Sequence, residues 1–160
     1  MKNLIIYSSK HGFTKKCAEM LKEGLKDGGD LINLKENQKI DLDNYQVIIL
    51  GSSVYAGNIQ KDMKDFIEKN HDALMEKNTG LFTCNMHKGQ EAEEQLKKVY
   101  PLNLVEKSFM ATFFGGSFDF KKMNFIEKQI VKKIAKVSES VETIEVENIR
   151  KMQEKVNSLV

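Results

Sequence analysis

A chain of 160 residues is long enough for one domain with a buried core, and 25 Lys and Arg against 23 Asp and Glu are too balanced to indicate a nucleic-acid partner. The two cysteines, Cys17 and Cys84, form neither a disulfide framework nor a Cys-x-x-Cys motif, so we expect reduced thiols in a cytoplasmic protein. No apolar run approaches the length of a membrane span and no signal-peptide pattern is visible, so the sequence predicts neither export nor a transmembrane helix.

Apolar runs of strand length alternate with segments of helical periodicity along the chain. Strands are predicted at 4–7, 30–34, 46–50, 80–85 and 107–114, and helices between them at 14–25, 58–77 and 90–99. Such alternation predicts a doubly wound α/β fold, a parallel sheet with helices on both faces, and the absence of any linker indicates a single domain over residues 1–160.

Two helices are predicted after the fifth strand. The second, over 146–160, would close the fold, so the first, over 120–137, is an extra helix inserted after strand five. The inserted helix combines an apolar stripe, including Ile126, Ile130 and Ile134, with many lysines. It could pack on the sheet with a solvated lysine face, or it could contact the inner face of a membrane peripherally and meet a quinone there.

The first predicted strand runs directly into a loop of small polar residues and then into a helix. We expect Thr14 to cap this helix, so that backbone N–H groups and the hydroxyls of Ser8, Ser9 and Thr14 converge on one point. A phosphate there would be bound by unpaired donors and by the positive end of the helix dipole. The loop contains one glycine and matches neither the Walker A nor the Rossmann pattern. The alternative is an ordinary strand-to-helix turn.

Two further loops follow predicted strands at the same edge of the sheet. After strand three, small residues surround Tyr55, which suits a flat ring stacked on the tyrosine; alternatively Tyr55 covers a sheet edge and Gly57 belongs to a turn before a helix. After strand four comes a polar loop that ends at Gly89 and could reach the edge of such a ring. The three histidines are scattered and predict no metal site, and no nucleophile, acid or base stands out as a catalytic residue.

The amino-terminal loop resembles the Thr-x-Thr-Gly-x-Thr loop with which flavodoxins bind the phosphate of FMN. Ser9, Gly12 and Thr14 match that pattern, and His11 replaces a hydroxyl residue. The resemblance implies a flavodoxin-like five-stranded sheet of order 2-1-3-4-5 and FMN as the cofactor. The residues expected to bind FMN are Ser8, Ser9, Lys10, His11, Gly12, Phe13, Thr14, Ser52, Ser53, Val54, Tyr55, Ala56, Gly57, Cys84, Asn85, Met86, His87 and Gly89.

Within this superfamily the chain is similar to the branch that contains the menaquinone-dependent protoporphyrinogen oxidases. The similarity lies in segments 8–14, 51–57 and 114–120, the last followed by the lysine-rich helix, whereas the oxidases carry a long insertion where this chain has only a helix-length stretch. It implies electron transfer through FMN to a redox partner protein or a quinone, or protoporphyrinogen IX dehydrogenation with menaquinone as acceptor. An alternative of another class is a non-redox phosphate- or nucleotide-binding module.

Overall fold

The computed structural model describes residues 2–36, 39–118, 124–135 and 141–159. Eight strands and six helices are formed by these residues. In chain order they are β1 (Lys2–Ser8), α1 (Phe13–Glu23), β2 (Asp30–Asn33), β3 (Tyr45–Tyr55), β4 (Asn58–Ile59), α2 (Lys61–Glu76), β5 (Asn78–Cys84), α3 (Gly89–Val99), α4 (Leu102–Lys107), β6 (Met110–Phe113), β7 (Gly115–Phe118), α5 (Phe125–Ala135), β8 (Val141–Ile144) and α6 (Val146–Ser158).

Five of these strands form a parallel sheet in the order β2-β1-β3-β5-β6. Counted as parallel strands alone, this is the order 2-1-3-4-5, and the predicted fold class is confirmed. The short strand β4 pairs antiparallel with the end of β3, and β7 pairs antiparallel with β8 in a separate two-stranded ribbon.

The central strands are buried on both faces, which explains their nearly continuous apolar sequences. Ile5 and Ile49 belong to a cluster that also contains apolar residues of α1 and α6. Their neighbours Leu4 and Ile48 point to the opposite face and join a cluster with residues of α2, α3 and α4. The sheet is therefore covered by helices on both sides, and its loops at the carboxyl ends of β1, β3 and β5 lie along one edge.

The structure corrects several predicted boundaries. Residues 102–107 form helix α4 after Pro101, and the last parallel strand is only Met110–Phe113, because Leu104 is buried in the apolar cluster beside α2 and α3. Strand β3 continues to Tyr55 and pairs with β4, so α2 begins at Lys61 and not at residue 58. Helix α1 begins one residue early, and its N-cap is Gly12, not Thr14.

The predicted extra helix after strand five is present as α5, flanked by the unpredicted strands β7 and β8. Predicted positions 120–123 and 136–137 lie outside the described residues. Ile126, predicted on the apolar stripe, is 69% exposed and its neighbour Phe125 is 75% exposed, whereas Glu127 is only 6% exposed. Within the described ranges no helix is both long and apolar enough to cross a lipid bilayer.

Candidate functional site

A cavity of about 650 Å³ opens at the carboxyl ends of β1, β3 and β5. In an open α/β sheet, ligands bind at this edge, where the strand order reverses. Predicted residues from all three loops line it: Ser9, Lys10, His11, Phe13, Thr14, Ser53, Val54, Tyr55, Ala56, Gly57, Cys84, Asn85, Met86 and His87. The structure therefore brings together the three loops that the sequence singled out.

Four predicted residues, Ser8, Gly12, Ser52 and Gly89, do not line this cavity. The Ser8 hydroxyl is buried and donates to the Asp62 carboxylate at the start of α2. The Ser52 hydroxyl accepts from the Gln60 amide at 3.0 Å and so fixes the segment between β4 and α2. Neither serine lines the cavity. Each hydroxyl instead hydrogen-bonds to the segment at the start of α2.

Gly12 and Gly89 provide backbone conformations that other residues rarely adopt. Gly12 has a φ of 94° at the N-cap of α1, and Gly89 has a φ of 55° at the start of α3. The Gly12 amide donates to the Ser9 hydroxyl at 2.9 Å, which closes the amino-terminal loop on itself. These glycines shape two of the three loops without contributing a side chain.

Thr14 lies in the first turn of α1 and is fully buried. Its hydroxyl oxygen makes no hydrogen bond of acceptable geometry with the described residues, and it lies beside the Cys84 thiol, whose pKa burial raises more than this hydroxyl lowers it. The first turn of this helix carries no acidic side chain, so its amide groups and their positive dipole are not neutralised there. The amino-terminal loop therefore offers a buried hydroxyl and helix amides to an anion.

The second loop is a tight β-hairpin that presents Tyr55. Its two turn residues, Ala56 and Gly57, have φ values of 50° and 77°, the left-handed pair that a two-residue hairpin turn requires. The Lys10 ammonium lies 3.4 Å from the centroid of the Tyr55 ring. The cation of the amino-terminal loop thus reaches across to the aromatic ring of the hairpin.

The third loop, after β5, is fixed by the glycines of β7. The Asn85 amide donates to the Gly115 carbonyl at 2.8 Å, and a Cβ on Gly116 would lie 2.2 Å from the Asn85 carbonyl oxygen. Burial is the main cause that raises the pKa of the Cys84 thiol well above its ordinary value, with the neighbouring Cys17 thiol second. Cys84 is therefore a neutral thiol in the wall of the cavity.

Sequence reasoning missed five further residues that line the cavity: Glu91, Gln95, Gly116, Ser117 and Glu127. Glu91 lies beside His87, with 3.3 Å between carboxylate and imidazole. Glu127 is the important omission, because its carboxylate is buried against the amino-terminal loop. A signal was available: Asn124 and Glu127 have the spacing of a capping box, and the Glu127 amide does donate to the Asn124 side chain at 2.8 Å.

The polar atoms of the cavity can be tested against FMN, the cofactor that the resemblance of the amino-terminal loop implies. Five buried side-chain atoms have no hydrogen-bond partner among the described residues. Three of them, Thr14 Oγ1, Ser53 Oγ and Asn85 Nδ2, belong to cavity-lining residues, one from each of the three loops, whereas Asn3 and Thr83, which carry the other two, do not line the cavity. Buried polar groups are rarely left unpaired in native proteins. A phosphate at the first loop and a heteroaromatic ring with polar edges at the other two fit this donor set.

Within residues 2–36, 39–118, 124–135 and 141–159, no three His, Cys, Asp or Glu side chains are grouped so that they could hold a metal.

Comparison with known proteins by sequence gives the family that the amino-terminal loop resembles. The sequence model described as "Flavodoxin domain" matches residues 4–155. A flavodoxin from Clostridium saccharobutylicum is 34% identical over 84 residues, which cover 50% of this chain and 52% of that protein. A protoporphyrinogen IX dehydrogenase [quinone] from Leishmania major is 21% identical over 150 residues, which cover 86% of this chain and 63% of that protein. The chain thus spans less than two thirds of either relative.

The fold comparison agrees. A flavodoxin, WrbA-like protein from Agrobacterium tumefaciens superposes with a TM-score of 0.60 at 17% identity, covering 99% of this chain and 96% of that one. At this identity the likeness establishes the shared fold.

Proposed function

We propose, starting from the premise that the chain belongs to the flavodoxin family, that it binds FMN in the cavity at the carboxyl edge of the sheet and carries electrons through it. The observation that carries this proposal is the set of three unpartnered buried polar atoms, one from each loop around one cavity. Three of the five such atoms among the described residues belong to the lining of this one cavity, where a bound ligand would satisfy them.

The residues divide into two groups by the part of the cofactor they would bind. Residues 9–14 would hold the phosphate through the Thr14 hydroxyl and the amides at the start of α1. The hairpin with Tyr55 and the loop with Asn85 would hold the ring, the first by its aromatic face and the second by its amide. Bound FMN supplies one- and two-electron chemistry, and the protein tunes it by stacking, hydrogen bonds and nearby charge.

A titration with FMN tests the proposal directly. We expect the purified chain to quench FMN fluorescence at a stoichiometry of one and to shift the visible flavin bands, with riboflavin binding more weakly because it lacks the phosphate. Unchanged FMN fluorescence and absorbance at saturating protein would overturn it. Potentiometry on the complex would then give the reduction potential on which a carrier role depends.

A second candidate is protoporphyrinogen IX dehydrogenation with a quinone acceptor. It is favoured by the similarity over 86% of the chain to the Leishmania dehydrogenase and by the exposed apolar pair Phe125 and Ile126, which precede the cavity residue Glu127 on α5. Such an apolar pair beside lysines could meet a quinone at a membrane surface. Porphyrin fluorescence should then develop from porphyrinogen anaerobically when FMN and menaquinone are present. Its absence would leave the carrier role.

A further inference from the structure

One carboxylate lies directly on the loop that would bind the phosphate. Glu127 Oε2 is 2.7 Å from His11 Nε2, and Glu127 Oε1 is 3.7 Å from Lys10 Nζ. The Glu127 side chain is only 8% exposed, while those of His11 and Lys10 are 24% and 30% exposed. The Glu127 carboxylate is thus shielded from water, with Lys10 as its ion-pair partner and His11 as its hydrogen-bond partner.

The position of this carboxylate is built into the start of α5. The Asn124 side chain accepts a hydrogen bond from the Glu127 amide, and the Lys128 amide donates to the Asn124 carbonyl at 3.0 Å. Because this cap fixes where the helix begins, Glu127 faces the loop while Phe125 and Ile126 face solvent. Among the α5 side chains that the structure describes, Glu127 is the buried one.

The Glu127 carboxylate faces Lys10 and His11, and both belong to the amino-terminal loop that also contributes Thr14. The other two cations near the start of α1 are directed elsewhere, Lys15 towards Glu19 and Lys16 towards Glu142. A phosphate monoester at this loop would meet Lys10 and His11 already paired with a negative group. Two anions cannot share these side chains without mutual repulsion, which is weakly screened where water is excluded.

We propose that Glu127 is an internal anion that competes with the phosphate of the cofactor for Lys10 and His11. The inference rests on the proposed function and deepens it: Glu127 lowers the affinity for FMN, and it does so through the phosphate and not through the ring. Binding of the phosphate displaces the carboxylate, so α5 separates from the amino-terminal loop in the complex. Affinity for riboflavin is independent of this competition.

The test compares Glu127→Gln with the wild type, because glutamine keeps the shape and the capped helix start but removes the charge. Glu19→Gln is the matched control: it makes the same charge change in a carboxylate paired with a lysine near the start of α1, Lys15, but Glu19 does not line the cavity. Dissociation constants for FMN and riboflavin are measured for all three proteins by flavin fluorescence quenching, and circular dichroism verifies that each is folded.

We expect Glu127→Gln to bind FMN about tenfold more tightly than the wild type, the effect of one nearby charge at partial burial. Riboflavin affinity should stay within about twofold, and Glu19→Gln should change neither constant by more than that. Unchanged or weaker FMN binding by Glu127→Gln would overturn the proposal and make Glu127 a support of the site. Equal tightening for FMN and riboflavin would also overturn it, because an effect of that kind would come from an opened cavity.

A second measurement separates this inference from the cofactor assignment. Inorganic phosphate is added to each protein and the thermal midpoint is followed. If no protein binds either flavin, yet phosphate stabilises Glu127→Gln more than the wild type, the competition stands and the FMN assignment fails. If the wild type binds FMN but neither the FMN nor the phosphate response differs in Glu127→Gln, the competition fails and the FMN assignment stands. Absence of both flavin and phosphate responses in all three proteins overturns both.

Discussion

The floor of the cavity and its α5 wall are stabilised by different forces. The floor is formed by the carboxyl ends of β1, β3 and β5, where the Phe82 and Phe114 rings stack with centroids 4.2 Å apart beneath the loops. The wall at α5 contacts the amino-terminal loop through the Glu127 carboxylate, which forms an ion pair with Lys10 and a hydrogen bond with His11, while Phe125 beside it is 75% exposed. Close packing fixes a geometry, whereas an ion pair can be replaced by another anion. The floor is therefore preformed, and the wall can respond to a ligand.

The largest effect is expected from disrupting the floor with Gly51→Ala. A Cβ at this position would lie 1.9 Å from Cζ of the fully buried Phe82, and that ring cannot retreat because it stacks on Phe114. We expect the free energy of unfolding in urea to fall by about 3 kcal/mol, at the upper end for overpacking. The double variant Gly51→Ala with Phe82→Leu should recover part of the loss. A fully stable Gly51→Ala would show that the floor is loosely packed.

Hydrogen exchange compares floor and wall in one experiment. We expect amides of α5 to exchange at least roughly a hundredfold faster than those of β3, because β3 is buried and paired on both sides. Helix α6 is the control, since its residues Ile149, Met152 and Val156 are buried in the core. Protection of α5 equal to that of α6 would contradict a wall held by charge.

A smaller effect is expected from Thr14→Val, which removes the unpartnered hydroxyl while keeping its volume. FMN should bind about tenfold more weakly, since a hydrogen bond to a charged group is lost, and the free energy of unfolding without ligand should not fall. Thr79→Val is the matched control: its buried hydroxyl donates to the Leu74 carbonyl at 2.8 Å, so stability should drop by about 1 kcal/mol with FMN affinity unchanged. Equal FMN affinity in Thr14→Val and wild type would remove Thr14 from the phosphate site.

The smallest effect is expected at the opposite end of the sheet, where the Tyr45 hydroxyl donates to the Asp30 carboxylate at 2.6 Å. This hydrogen bond, the largest cause, raises the pKa of Tyr45 to about 12 and lowers the pKa of Asp30 below 3.8. The Tyr45 contribution to stability is thus present below pH 10 and lost as the pH rises towards 12; the Asp30 contribution is lost as the pH falls below 3.8.

Tyr45→Phe should therefore cost about 1 kcal/mol or less near neutral pH, because the pair is partly solvated, and should flatten the loss of stability between about pH 10 and 12. Urea unfolding across this pH range measures both effects, and FMN affinity serves as the control, because neither residue lines the cavity. A changed FMN affinity would mean that the two ends of the sheet are coupled.

The strands that form the floor could be predicted because each is encoded by its own residues, without reference to distant parts of the chain. The run Val47–Leu50 is apolar throughout since both faces of β3 are covered, and turn residues follow where the strands end. Helix α4 was missed because six residues after a proline show little periodicity. Strands β7 and β8 were missed because their pairing joins segments separated by the whole of α5, and no local pattern encodes such a contact.

The contacts of the α5 wall could not be predicted either, because they also join segments that are distant in the sequence. The Asn124 cap indicates locally where α5 begins, but the partners against which Glu127 is buried, His11 and Lys10, lie more than a hundred residues away in the chain. An apolar stripe identifies the existence of the helix, but it does not reveal that a carboxylate has a buried partner elsewhere. Ser8 and Ser52 show a similar limit, since hydroxyls near a predicted loop can point behind it.

Strands β7 and β8, which precede and follow the inserted helix α5, pair with each other as an antiparallel ribbon. Phe118 is paired with Val141, so the two ends of the segment that carries α5 lie side by side. An Asn-Gly dipeptide can join these two residues directly, because two-residue hairpin loops favour it. We expect a chain shortened in this way to keep the parallel sheet and the three loops around the cavity while lacking the Glu127 carboxylate.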